Sequence, residues 1–277
     1  MIDMGGFAVK QALPGNGIQD LDPFLLLHHA ETIYNKDLHA RHQGIGPHPH
    51  RGFSPVTFVI EGAVHHRDSM GNDQVAKKGE VQWMNAGAGI IHSERPSEEI
   101  VHNEKKQEII QLWINTPSSA KMNPPNYQFL LEKDMPFLIS KDKHVKSKII
   151  AGSIKDVENK LIETTSELMI IWGIAKKMGR ENFIIPSSYN SMIYLIKGKM
   201  ETKGGQKIES ENLLIMEPSG QNIQLLFKED SQFLLLSGKP IGEEISQYGP
   251  FVMNTKSEIL EAMRDFQMGK MGVLIEN

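Results

Sequence analysis

Cysteine is absent from this chain, which excludes disulfides, thiolate metal ligands and cysteine nucleophiles and leaves any metal or acid–base chemistry to histidine and carboxylates. Apolar runs of membrane-crossing length are also missing. The amino terminus, Met1 to Gly6, lacks the basic flank and apolar core of a secretory signal, so a cytoplasmic location is expected, with no membrane association. Nor does one sign of charge dominate: 30 lysines and arginines are scattered among 34 acids, for a net charge of −4. Without a basic stripe to neutralise phosphates, direct nucleic-acid binding is not expected. Histidine is scarce in one half only. Of the 11 histidines, all but His144 lie between residues 28 and 102.

Within that histidine-rich half, Gly46-Pro47-His48-Pro49-His50-Arg51-Gly52-Phe53 sets two imidazoles two residues apart. In extended backbone such residues point the same way, about 6.6 Å apart. A second pair of this form, His92 and Glu94, follows the glycines Gly87 and Gly89. Three nitrogens and one oxygen suit a divalent transition metal (iron, nickel, manganese, cobalt or zinc) with positions left open for water or substrate. Read blandly, each pair is two polar side chains on a solvated strand end. The separation argues for a site: about forty residues of alternating, turn-punctuated sequence lie between the pairs, enough for a few antiparallel strands to bring both onto one barrel wall.

At 277 residues, two domains of ordinary size are expected. Strands are predicted over residues 7–13, ahead of a Pro14–Gly17 turn, and over 56–61, 64–67, 79–83 and 108–115, with Thr116–Ser119 ending the first barrel. His28 and His29 are read as strand-end or partner-surface residues, and His39 and His42 as residues of a polar loop leading into Gly44-Ile45-Gly46, with a place at the mouth of the site as the lesser alternative. His65 and His66 point to opposite faces, with a solvated or cross-strand role. Lys121–Tyr127, with Pro124-Pro125, reads as a bridge to a second all-β unit with strands over 145–151, 168–175 and 182–185. SMIYLIKG (191–198) takes the place that VTFVIEG has in the first half, which hints at a repeat. Its surroundings, including Met216–Gly220, lack histidine, and Glu217 alone binds nothing tightly, so the second unit is read as free of metal. Thr255-Lys256-Ser257-Glu258 has capping-box form, and Ile259, Ala262, Met263 and Phe266 recur at helical spacing, which predicts a closing amphipathic helix ended by Gly269.

HPHRGF, VTFVIEG, HHRDSMGN, QWMNAGAGIIHSERPSEE and QLWINTP closely resemble the amino-terminal half of the pirin family, part of the cupin superfamily, and GPFVMNTKSEILEAMRDFQMGKMG resembles its closing segment. The resemblance implies an all-β bicupin fold, two antiparallel jelly-roll barrels with a carboxy-terminal helix. The divisions expected are a metal-binding domain over 1–120 and a cupin-like domain without metal ligands over 121–277. It places metal ligands on His48, His50, His92 and Glu94, with iron the leading ion and nickel, manganese, cobalt and zinc as alternatives. The general cupin pattern would put a ligating glutamate at or next to Ser54, which has no carboxylate; Glu94 stands in for it. The implied activity is quercetin 2,3-dioxygenase: a flavonol and dioxygen react, the heterocycle opens, carbon monoxide leaves, and Glu94 is the catalytic base. The family is equally described as regulatory, which implies a metal-containing protein that binds a protein partner without turnover. A sugar isomerase of the kind other cupins provide is the third possibility.

Overall fold

The computed structural model of the chain describes residues 2–3, 8–15, 17–217 and 222–276. Phe7 of the first predicted strand, Asn16 of its turn and residues 218–220 lie outside the described residues. The strands pair antiparallel throughout, and the chain divides into two compact units. One gathers the chain up to Asp20, Phe24–Glu132 and the segment from Ile241 onward; the other holds Leu21–Pro23 and Lys133–Pro240.

In the first unit the strands are β1 (Ile2–Asp3), β2 (Ala8–Leu13), β3 (Phe24–Ile33), β4 (Ile45–His50), β5 (Phe53–Glu61), β6 (Ala63–Asp68), β7 (Asp73–Lys77), β8 (Val81–Asn85), β9 (Ile90–Pro96), β10 (Lys106–Asn115) and β11 (Asn126–Leu130), with a short helix α1 (Glu98–His102) before β10. They form a seven-stranded sheet, β1-β2-β3-β10-β5-β8-β11, and a four-stranded sheet, β4-β9-β6-β7. β5 reads FSPVTFVIE and is buried at every position but the last, as a strand covered on both faces must be. Proline is tolerated near its start, and Gly62, at φ +78°, turns the chain into β6.

The second unit repeats this plan. Its strands are β12 (Phe137–Ile139), β13 (Val145–Ile154), β14 (Val157–Asn159), β15 (Leu168–Ala175), β16 (Arg180–Ile184), β17 (Asn190–Lys197), β18 (Lys199–Thr202), β19 (Lys207–Glu209), β20 (Asn212–Met216), β21 (Asn222–Phe227) and β22 (Ser231–Gly238). A larger sheet runs β12-β13-β15-β22-β17-β20 and a smaller one β16-β21-β18-β19. β17 thus occupies in its sheet the place of β5, and Gly198 turns it into β18 as Gly62 does for β6. One continuous apolar cluster, including Phe183, Ile193, Leu195, Ile223, Leu225, Phe227 and Phe233, fills this unit.

The chain's last part, a hairpin of β23 (Ser246–Tyr248) and β24 (Phe251–Met253) and helix α2 (Lys256–Gln267), belongs to the first unit. The predicted capping box is present: Thr255 accepts from the Glu258 amide while Glu258 reaches back to the cap. Ile259 and Ala262 of the apolar stripe cluster with Phe251, Met253 and Met271. Two sequence boundaries therefore differ from those expected. The bridge beginning at Lys121 runs directly into β11, which pairs with β8 and extends the first unit to Glu132; the closing helix also returns to this unit. Buried tethers account for the return. Lys121 Nζ donates to Gly52 O at 2.7 Å, Asn115 Oδ1 at 2.7 Å and Val252 O at 3.0 Å, and Arg51 pairs with Asp265 at 3.0 Å.

Candidate metal centre

Antiparallel pairing of β4 and β9 sets His48 directly opposite His92, and the period of two adds His50 on β4. One nitrogen from each of these three rings lies within 4.8 Å of the others, the one such group of metal-binding side chains among the described residues. The glycines ahead of β9 have the mechanical reason expected of them. Gly87, at φ +49°, accepts from the Gly52 amide, and any Cβ there would collide with the Asn123 carbonyl. Gly89, at φ +132°, has the Met271 side chain against it.

Tautomers follow from the partners. His48 Nδ1 is 2.8 Å from Gly46 O and His50 Nδ1 is 3.3 Å from Pro250 O. A carbonyl only accepts, so both rings carry hydrogen on Nδ1 and turn bare Nε2 atoms toward each other, 3.1 Å apart. His92 Nε2 is buried with no hydrogen-bond partner. Two lone pairs in contact and a third nitrogen orphaned nearby form an arrangement that a cation relieves, so the donor set fits a divalent metal. His50 and His92 are held well below the ordinary imidazole range, first by burial and then by the neighbouring histidines, which keeps them in the neutral form a metal needs.

Glu94 shares the buried face of β9 but stands outside the three-histidine group. Its carboxylate accepts from Thr57 Oγ1 at 2.9 Å and Gln111 Nε2 at 2.7 Å, side chains of β5 and β10. Trp113 Nε1 donates to Gln111 Oε1 at 3.2 Å, which fixes which end of that amide faces Glu94. Glu94 and Gln111 also line a cavity with His28, Thr32, Tyr34 and Gln107. Counted out to its open mouth the space is about 620 Å³, but a water-sized sphere moves through only about 60 Å³ of it. Burial, then the Glu94 charge, raise the Tyr34 pKa, so its hydroxyl stays protonated and donates to Gln107 at 2.6 Å.

The remaining histidines divide between departures from expectation and agreement with it. His28 and His29 sit mid-strand on β3, both buried, with His28 lining the cavity and His29 held 3.1 Å from Glu108. Their neighbours are the non-local strands β2 and β10, which a run such as LLLHH does not announce. His39 and His42 are exposed around a short 3₁₀ turn and do not line that cavity. His65 and His66 do point to opposite faces; His65 meets Asp73, whereas His66 is buried beside Asp68 and His92. Ser54 hydrogen-bonds Asn85 Oδ1 at 2.7 Å, and Glu217 is exposed.

Two antiparallel barrels, one with a histidine triad in which His50 and His92 are buried and His48 half-buried, define a bicupin with the donor set of a metal site. The pirin family profile matches residues 6–114 and the pirin C-terminal cupin profile residues 174–272, and the chain belongs to the pirin family. Human pirin is 34% identical over 274 residues, covering 96% of this chain and 89% of its own; a pirin-like protein from Solanum lycopersicum is 35% identical over 272 residues, covering 96% and 88%. A solved quercetin 2,3-dioxygenase from Acinetobacter baumannii is 36% identical, covers 97% of this chain and 92% of its own, and superposes with a TM-score of 0.88. The fold is also that of a bacterial pirin from Escherichia coli solved in complex with nickel(II), at 20% identity and a TM-score of 0.69, covering 86% of this chain and 94% of that one. Among the described residues, no helix is long and apolar enough to cross a membrane.

Proposed function

We infer that this chain is a metal-dependent dioxygenase that opens quercetin-like flavonols, with His48, His50, His92 and Glu94 as the metal ligands and iron as the leading ion. The observation that carries the reading is the histidine triad with bare nitrogens converging, beside a carboxylate that also lines a cavity. When bound, the divalent ion supplies Lewis-acid polarisation of the flavonol 3-oxygen and a redox partner for dioxygen. The protein's part is to hold and to move a proton. Glu94 takes the proton of the 3-hydroxyl, for which it must lie near 3 Å from that oxygen. Thr57 and Gln111 keep its two oxygens aimed while it is charged. One flavonol and one dioxygen are consumed, the heterocycle opens to an ester and one carbon leaves as carbon monoxide.

Purified protein loaded in turn with iron, nickel, manganese and cobalt, then given quercetin under air, should bleach the flavonol absorbance and release carbon monoxide in equal amount. The narrow inner cavity favours a second reading, a metal-containing regulatory protein that recognises a partner without turnover. Metal binding without flavonol loss under any of the four ions would overturn the oxygenase and leave the regulatory reading standing. The site of action expected for either is the cytoplasm.

A further inference from the structure

His66 is 2% exposed and stands between two groups. Its Nε2 is 3.0 Å from Asp68 Oδ2, and its Nδ1 is 3.5 Å from His92 Nδ1. Pairing of β6 with β9 explains the placement, since it sets His66 opposite Glu94 and Asp68 opposite His92. The ring cannot swing freely, because it is stacked on Tyr127 at 4.3 Å and 19°. Asp68 is anchored in turn: Oδ1 accepts the amides of Met70 at 2.9 Å and Asn72 at 3.1 Å, and Oδ2 accepts from Asn72 Nδ2 at 2.7 Å. Burial alone would raise the Asp68 pKa, but the hydrogen bonds from His66 and Asn72 outweigh it and hold the group below its ordinary value, as a carboxylate.

A carboxylate only accepts, so His66 carries its hydrogen on Nε2, and in the neutral ring Nδ1 is bare. That bare nitrogen faces His92 Nδ1, which must then bear the hydrogen, leaving His92 Nε2 as the lone-pair donor. This Nε2 is the buried nitrogen that has no other partner. At 3.5 Å the contact between the rings is long, and its importance lies in selecting which nitrogen is protonated more than in its own strength. His48 and His50 take their tautomers from backbone carbonyls, which have no alternative. His92 takes its tautomer from a side chain that has two.

We propose that Asp68 and His66 are positioning residues that set the tautomer of His92 and through it the affinity of the centre for a divalent ion. The proposal rests on the triad being a metal site. It is tested with nickel(II) alone, its dissociation constant measured by competition with a chelator, beside the melting temperature of metal-free protein. In Asp68→Asn the amides of Met70 and Asn72 keep the side-chain oxygen, so the new N–H points at His66 Nε2 and drives hydrogen onto Nδ1, the wrong side for His92. Nickel affinity should fall by about 10- to 100-fold, the usual effect of losing such a partner. In a His66→Asn background the amide oxygen accepts directly from His92, so adding Asp68→Asn there should change affinity by no more than about twofold, as for uncoupled sites. Nitrogen-15 imidazole shifts of metal-free protein should show His92 protonated on Nδ1 in the unmodified chain and on Nε2 in Asp68→Asn. Unchanged nickel affinity in Asp68→Asn, or equal losses in both backgrounds, would overturn the relay and leave the centre intact. Failure of the unmodified protein to bind nickel would overturn both.

Discussion

The first pair of strands in the smaller sheet is put to opposite uses in the two units. In the first unit β4 and β9 carry His48, His50, His92 and Glu94; in the second the equivalent pair, β16 and β21, carries Phe183, Ile223 and Leu225 into a continuous apolar core. The backbone plan is shared, down to the glycine turns at Gly62 and Gly198. A barrel of this kind therefore closes on hydrophobic burial alone, and the first unit's imidazoles are additions that its hydrogen-bond partners make tolerable, not requirements of folding. The fold is the scaffold in both copies, and a few inward-facing positions in one of them decide where chemistry is possible.

That comparison can be broken most directly at the triad. His48→Ala or His92→Ala should abolish bound metal and all flavonol turnover, read by elemental analysis, while circular dichroism stays native. Unchanged metal content in both variants would remove the distinction between the two barrels. Glu94→Gln is expected to act next most strongly: at saturating metal, turnover should fall by a factor on the order of 10² to 10⁴, the usual contribution of a positioned general base. A substrate already deprotonated at high pH should recover part of the loss; near-normal turnover at neutral pH would reduce Glu94 to a ligand. In the second unit, Phe183→Ala should cost about 3–5 kcal/mol in urea unfolding, as for other buried aromatic truncations, without changing nickel affinity. A parallel fall in affinity would show that the second barrel contributes to the centre after all.

Acid should separate the units more gently. Burial lowers the His28 pKa from 6.5 to about 4. As pH falls through that window the unfolded chain binds the proton before the folded one, so stability is present above about 6.5 and is lost on the way down to about 4. The second unit has no buried histidine among its described residues. Amide-exchange protection of metal-free protein, each rate taken relative to its intrinsic value at that pH, should thus fall from pH 7 to pH 5 in the first unit and not the second, and His28→Gln should lessen the effect. An equal fall in both would refute it.

Much of this was legible in the sequence because it depends on local period. Residues two apart on a strand share a face, so His48 with His50 and His92 with Glu94 could be paired on paper, and the all-β class, the VTFVIEG and SMIYLIKG strands and the helix capped by Thr255 followed from pattern alone. Register was not legible. That His48 faces His92 and Asp68 faces His92 is set by pairings across about 25 to 45 residues. The donors to Glu94, Thr57 and Gln111, come from the opposite sheet, and each reads locally as an ordinary polar position in a strand. A signal for His66 was available: in H-x-D on an extended strand the carboxylate and imidazole share a face, the same rule that found the triad.

The tethers from the closing segment carry a consequence for how the protein comes into being. His50 Nδ1 meets Pro250 O, and Lys121 binds Val252 O, so the barrel that begins the chain lacks part of its wall until those residues exist. The other unit is nearly contiguous, from Lys133 to Pro240. On a ribosome adding roughly 5–20 residues each second, the early barrel waits on the order of ten seconds for its last pieces while the later one already has nearly all of its own. The half translated first is completed last, and for that interval its imidazoles are open to whatever metal, chaperone or neighbouring chain the nascent polypeptide meets.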